Sequence, residues 1–375
     1  PSVSHGPFSK VEHEGFVEDF SALKLDPSQM RWFPPPLPKP SPSSSSSTPA
    51  SPDFVEGLRT IGGNGNPGTN GIAFYYYTAS SNMGKKAFYS SDGDFLIVPQ
   101  EGRLVVRSEM GRLTVAPREI CVLPRGVKFS VDVEGPSRGY VAEVFAGHFK
   151  LPDLGPLGSN GLANPRDFQT PVAWYEDEEG EGWEVWNKFG GGLFRASLKA
   201  SPFDVVAWHG NYVPFKYNLD LFNCMNSVTF DHPDPSIYTV LTCPTPTPGV
   251  ALIDFVIFPP RWMVMDHTFR PPWYHRNVMT EFMGMVYGKY DAKVGFQPGG
   301  ASLHSCMTPH GPDAPTFKTF SAKELEPEFF GGGLAFMFET SLTLRLSPYA
   351  LEAPFRDTSY HKCWEGIPKI FDPTK

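Results

Sequence analysis

Between residues 92 and 146 the apolar positions fall into short runs, each closed by a turn signal. Phe95, Leu96, Ile97 and Val98 run into Glu101-Gly102, residues 104–107 run towards Gly111, and Leu113-Thr114-Val115 follows. Residues 120–123 pass through Pro124-Arg125-Gly126 into 129–133, where apolar and polar positions alternate, and residues 140–145 close the set. Short runs with a turn between each pair predict a meander or jelly roll. The same texture returns at 172–175, 192–194, 205–208, 227–230, 237–242, 250–258, 280–287 and 334–344. One helix is predicted near residue 321, where Ser321 and Glu324 form a capping box and Pro327 limits its length. A short amphipathic piece is expected at 17–25.

Composition agrees with this texture. Forty prolines and 36 glycines imply many turns and few long helices. The expected fold class is all-β, with two cupin-like or jelly-roll domains and few short helices. Residues 1–52 form an N-terminal piece ending in a flexible Pro/Ser tract, 53–196 a first β-sandwich, and 197–375 a second. Gly62, Gly63, Gly65 and Gly68 lack the Lys-Ser/Thr ending of a phosphate loop, so residues 61–68 read as a surface loop. Residues 151–164 also read as a surface loop. Gly93, Gly102 and the Pro124-x-Gly126 turn resemble the two cupin half-motifs without their metal-binding residues. The first domain is therefore expected to be a metal-free copy.

Charge narrows the partners. The net charge of −8 is spread along the chain, its densest stretch being Glu176 to Glu181, read as a solvated loop, and no basic stripe exists. Nucleic acid is not an expected partner. Five cysteines without CxxC spacing suggest free thiols in a reducing compartment, hence the cytoplasm. No apolar run approaches the roughly 20 residues of a membrane span.

Seven of the ten histidines lie from His209 onward, so chemistry is expected in the second half. His275 and Glu281 are six residues apart, which in an extended segment puts both side chains on one face. Two imidazoles and one carboxylate make a 2-His-1-carboxylate iron site with open positions. His304 and His310 repeat the spacing among Gly and Pro, and either supplies the third ligand on spacing alone. The other would lie beside it and orient a ligand or substrate group. His209, beside Trp208 and Gly210, is a candidate general base, although a satisfied core histidine is the plainer reading. Arg276, Lys289 and Lys293 add positive charge and Tyr274, Tyr287 and Tyr290 add hydroxyls, which suits an anionic aromatic substrate. A zinc hydrolase would use the same ligand types. Gly-x-Ser-x-Gly and His-Glu-x-x-His are both missing.

Longer strings carry a family resemblance. Residues 91–100, 151–156, 160–168, 208–212, 254–262, 303–313 and 360–365 resemble the homogentisate 1,2-dioxygenases along nearly the whole chain. The resemblance implies Fe(II), one per subunit, held by His275, Glu281 and His310, with His209 as the active-site base. It places Tyr290 and His310 against the substrate and His304 beside the metal, with Arg276 or Lys293 free to fix a substrate carboxylate. The implied reaction takes homogentisate and O₂ to 4-maleylacetoacetate in tyrosine and phenylalanine breakdown. The implied assembly is a trimer or a dimer of trimers. Alternatives are a gentisate-type ring-cleaving enzyme or an inactive cupin that only binds. The family carries a further segment before residue 1, so the chain is expected to be N-terminally truncated, and the Pro/Ser tract is an insertion.

Overall fold

The computed structural model describes residues 4–39, 51–145, 147–153, 162–204, 210, 212–224, 238–263, 274–324 and 326–374. Among the described residues three large sheets form three layers. The first is seven-stranded, in the order Ser9–Val11, Gly192–Ala200, Glu179–Phe189, Lys86–Ser90, Phe129–Val133, Leu104–Ser108 and Gly111–Val115. The second is also seven-stranded, in the order Phe215–Asn218, Glu119–Leu123, Gly93–Glu101, Ser137–Phe145, Asn70–Ala79, Leu58–Asn66 and Arg345–Leu346. The third has six strands, Thr239–Pro244, Ala251–Phe258, Gly333–Thr340, Thr280–Gly288, Ala301–His304 and Met30–Trp32.

The second sheet lies in the middle, and its strands show why. Ile72 to Tyr77 are buried without a break, as a strand covered on both faces must be. Alternate side chains leave in opposite directions. Ala73, Tyr75 and Tyr77 join one apolar cluster with Phe88, Phe129 and Val131 of the first sheet. Phe74 and Tyr76 join another with Phe255, Phe282, Phe336 and Phe338 of the third. The Phe74 ring sits 5.4 Å from Phe282 and 5.1 Å from Phe338. Gly284 has no side chain because a Cβ there would collide with the Phe336 ring. Tyr140 crosses this layer, donating its hydroxyl to the Gly300 carbonyl at 2.7 Å.

A buried ionic cluster lies under the first sheet. Lys188 is 1% exposed and sits 2.6 Å from Asp92 and 3.1 Å from Glu143. Tyr75 and Ser90 hydroxyls also donate to Glu143, at 2.6 and 2.7 Å, and the Gly190 and Gly191 amides to Asp92, at 2.7 and 2.9 Å.

The all-β class agrees with the sequence, while several local expectations do not. Residues 61–66 continue the strand Leu58–Asn66 and Ile61 to Gly63 are buried, so the glycines there serve close strand packing instead of a surface loop. The helix runs over Ala314–Ala322, ahead of the predicted cap. Asp313 caps it by accepting from the Thr316 amide at 2.9 Å, and Ser321 falls in its last turn. Residues 17–25 yield only the 3₁₀ turn Phe20–Ala22. Glu179 already belongs to a strand, and Glu176 pairs with Arg107 and Ser201, so the acidic stretch is partly structured. The N-terminal stretch is not separate: Met30–Trp32 is the edge strand beside Ala301–His304. Residue 197 lies inside the strand Gly192–Ala200. The strands expected at 205–208 and 227–230, and most of the Pro/Ser tract, lie outside the described residues. All five cysteines are free. Among the described residues, no helix is long and apolar enough to cross a membrane.

Candidate metal centre

The centre forms where the strand Thr280–Gly288 begins. Glu281 sits one residue into it, directly across from His304 on the strand Ala301–His304. His275 is not on that strand. The Asn277 side chain accepts from the Met279 amide at 2.6 Å, a local turn that breaks the extended run. The same-face argument from the six-residue spacing therefore fails, because His275 and Glu281 belong to different segments. What joins them is a backbone bridge: the His275 amide donates to the His310 carbonyl at 2.7 Å, and the His310 amide donates back at 2.9 Å.

The result is a cluster of three. Ligand-type atoms of His275, Glu281 and His310 lie within 4.8 Å of one another. They line a cavity of about 110 Å³ with Phe258, Met283, Tyr290, Ala292, Lys293, Gly311 and Met337. Its walls are mostly apolar, as ligand sites tend to be.

Hydrogen bonding tests whether a cation fits. His310 Nδ1 is 2.9 Å from the Thr308 carbonyl, which can only accept, so Nδ1 carries the proton. In the neutral ring Nε2 then offers a lone pair. It is buried without a hydrogen-bond partner, and it faces Glu281 Oε2 at 2.9 Å. Two acceptors aimed at each other inside a protein call for a cation between them. The residues fit a metal ion.

Neighbours hold Glu281 ready. Asn277 Nδ2 donates to its Oε1 at 2.6 Å. Burial opposes ionisation, yet the facing His304 side chain leads the interactions that outweigh it and keep the carboxyl well below the usual carboxylate range. His304 is fully buried and stacks on His310 with ring centroids 4.1 Å apart. Burial, together with Lys293 and His310, lowers its pKa well below the ordinary value. Burial also brings Lys293 down to about 8. The Tyr290 hydroxyl moves the other way, raised by burial and by Asp291, so the phenol stays protonated.

The remaining expected residues divide. Tyr290 and Lys293 line the cavity. Arg276 is exposed and does not line it, which leaves Lys293 as the cation on the cavity wall among the described residues. His209 lies outside the described residues. Sequence reasoning missed two contributors. Asn277 had a readable signal, an Asn four residues ahead of a carboxylate ligand. Tyr360, 2.9 Å from His304 Nε2, had none, because only the tertiary fold brings the C-terminal turn there.

Comparison with known proteins agrees along the chain. The family model described as "Homogentisate 1,2-dioxygenase N-terminal" matches residues 1–219, and its C-terminal counterpart matches 220–371. A "Homogentisate 1,2-dioxygenase" of Dictyostelium discoideum is 56% identical over 370 residues, covering 98% of this chain and 83% of the relative. The Homo sapiens protein of that name is 53% identical, covering 100% and 83%. The one from Arabidopsis thaliana is 52% identical, covering 99% and 80%. A cupin 2 conserved barrel domain protein from Leptotrichia buccalis overlaps loosely, with a TM-score of 0.32 and 9% identity over 76% of this chain and 88% of that one. The chain belongs to the homogentisate 1,2-dioxygenase family.

Proposed function

We propose that the centre holds one Fe(II) through His275, Glu281 and His310, and that the protein opens the ring of homogentisate with O₂ to give 4-maleylacetoacetate. The observation that carries this reading is the His310 Nε2 lone pair facing Glu281 Oε2 across 2.9 Å, next to His275. Two neutral imidazoles and one carboxylate suit a divalent metal that must keep open positions. When bound, Fe(II) supplies the site at which substrate and O₂ meet and react.

The chain's own residues do the rest. Lys293, a buried cation on the cavity wall, pairs with the acetate group of the substrate. The Tyr290 phenol, kept protonated, donates a hydrogen bond to a ring hydroxyl or to the carboxylate. His209 takes the proton from the ring hydroxyl, so that the substrate binds as a phenolate. Phe258, Met283 and Met337 exclude water and pack against the ring. The trimeric or hexameric assembly and a cytoplasmic location belong to the same reading.

The test is O₂ uptake by the Fe(II)-loaded protein with homogentisate and with gentisate. Uptake with homogentisate, and a product absorbing as maleylacetoacetate, supports the reading. Preference for gentisate would move the protein to the neighbouring activity, and zinc-dependent hydrolysis without O₂ uptake would overturn it.

A further inference from the structure

Two polar groups converge on one nitrogen of His304. The Tyr360 hydroxyl is 2.9 Å from Nε2, and Lys293 Nζ is 3.5 Å from it. The other nitrogen, Nδ1, is buried without a hydrogen-bond partner, and Glu281 Oε2 lies 3.6 Å away, just past hydrogen-bond length. An ammonium has donors only, so the nitrogen it faces must present its lone pair. A neutral ring then carries its proton on Nδ1, aimed at the carboxylate. The opposite tautomer would set an N–H against the ammonium and a lone pair against the carboxylate.

We propose that Tyr360 and Lys293 are positioning residues that fix His304 as the Nδ1–H tautomer, and that this proton holds Glu281 Oε2 in place for the metal. Asn277 already donates to Oε1, so both oxygens of the ligand gain a directed donor and the carboxylate cannot rotate. Tyr360 is itself braced. Arg31 lies 4.7 Å above its ring and pairs with Asp357 at 2.6 Å, while the Trp364 ring sits 4.9 Å away. The N-terminal edge strand and the C-terminal turn thereby reach the metal through one imidazole. This inference rests on the metal-site reading and not on the identity of the substrate.

The experiment is a mutant cycle read as Zn(II) affinity of the full chain, by chelator competition. Tyr360→Phe and Lys293→Met should each weaken Zn(II) by about tenfold, the usual scale for partners that orient a metal ligand. His304→Asn keeps an amide N–H where Nδ1–H was and has no tautomer to choose, so it should bind near parental strength. In that background Tyr360→Phe and Lys293→Met should cost nothing further. His304→Gln, which places its amide at the Nε2 end, should bind as weakly as His304→Ala. Parental affinity in Tyr360→Phe, or an equal loss in the His304→Asn background, would overturn the proposal. Thermal melting checks folding, and if Tyr360→Phe does not fold, the Lys293→Met arm decides alone. Should the parent bind metal with this pattern yet cleave no homogentisate, the catalytic reading fails and the inference stands.

Discussion

Replacing Lys188 by Met tests the buried ionic cluster under the first sheet. The side chain is 1% exposed, and its ammonium serves Asp92 at 2.6 Å and Glu143 at 3.1 Å. Met fills the space and removes the charge, leaving two carboxylates in an apolar interior. Breaking a buried pair in this way costs roughly 3–5 kcal/mol. Four hydrogen bonds remain, two from the Tyr75 and Ser90 hydroxyls and two from the Gly190 and Gly191 amides. They soften the loss, so about 3 kcal/mol at neutral pH is expected, a fall in Tm of roughly 4 °C. Adding Glu143→Gln should restore much of it, because the glutamine carbonyl still accepts from Tyr75 and Ser90 without a charge. Urea titration of the parent, both single variants and the double variant measures the coupling, expected at about 1–3 kcal/mol. pH supplies a second arm. Burial already raises Glu143 above its ordinary value, and without Lys188 only the Tyr75 and Ser90 hydroxyls oppose that burial. A carboxyl raised in the folded state favours folding below its unfolded pKa and loses that contribution as pH rises through the folded value. The deficit of Lys188→Met should therefore shrink as pH falls from 8 to 5. A loss under about 1 kcal/mol, or one equal at both pH values, would refute the reasoning.

Glu281→Gln should lower metal affinity by at least tenfold while leaving the far-UV spectrum intact, as metal analysis after dialysis would show. Lys293→Met should raise KM for homogentisate more than it lowers kcat. In the parent, KM should climb as pH passes about 8, where Lys293 loses its proton, and that climb should vanish in the variant. His13 predicts acid sensitivity at the N-terminus. It accepts from the Gly15 amide at 2.8 Å, lies 3.1 Å from the Val55 carbonyl, and is lowered to about 4 by burial first and Arg59 next. The unfolded chain binds that proton more readily, so stability is full above about pH 6.5 and declines as pH falls towards 4. His13→Gln should flatten that part of the pH–Tm curve.

The strands were legible because runs such as Phe95 to Val98 carry both their apolar content and their turn residues locally. The helix was displaced because Asp313-Ala-Pro, a cap followed by proline, outcompetes Ser321 and Glu324 for the start. The three ligand-type residues were identifiable by type, but the periodicity argument that linked them was not the one that holds. Asn277 turns the chain between His275 and Glu281, and the bridge to His310 replaces the imagined shared face. The partners of His304 come from residues 293 and 360, and the strand that lines its own comes from residues 30–32. No local pattern encodes contacts made over such separations.

The middle sheet has a consequence for synthesis of the chain. Its strands at Asn70–Ala79, Gly93–Glu101 and Ser137–Phe145 are complete long before residue 250 leaves the ribosome. Until the strands carrying Phe255, Phe282, Phe336 and Phe338 arrive, Phe74, Tyr76 and Tyr140 form an uncovered aromatic face. A half-made protein is thus sticky by construction, and a stalled or nonsense-truncated chain ending near residue 219 should be a substrate for chaperones or precipitate. Supplying residues 220–375 as a separate polypeptide should rescue its solubility only if added during translation, before those faces find each other.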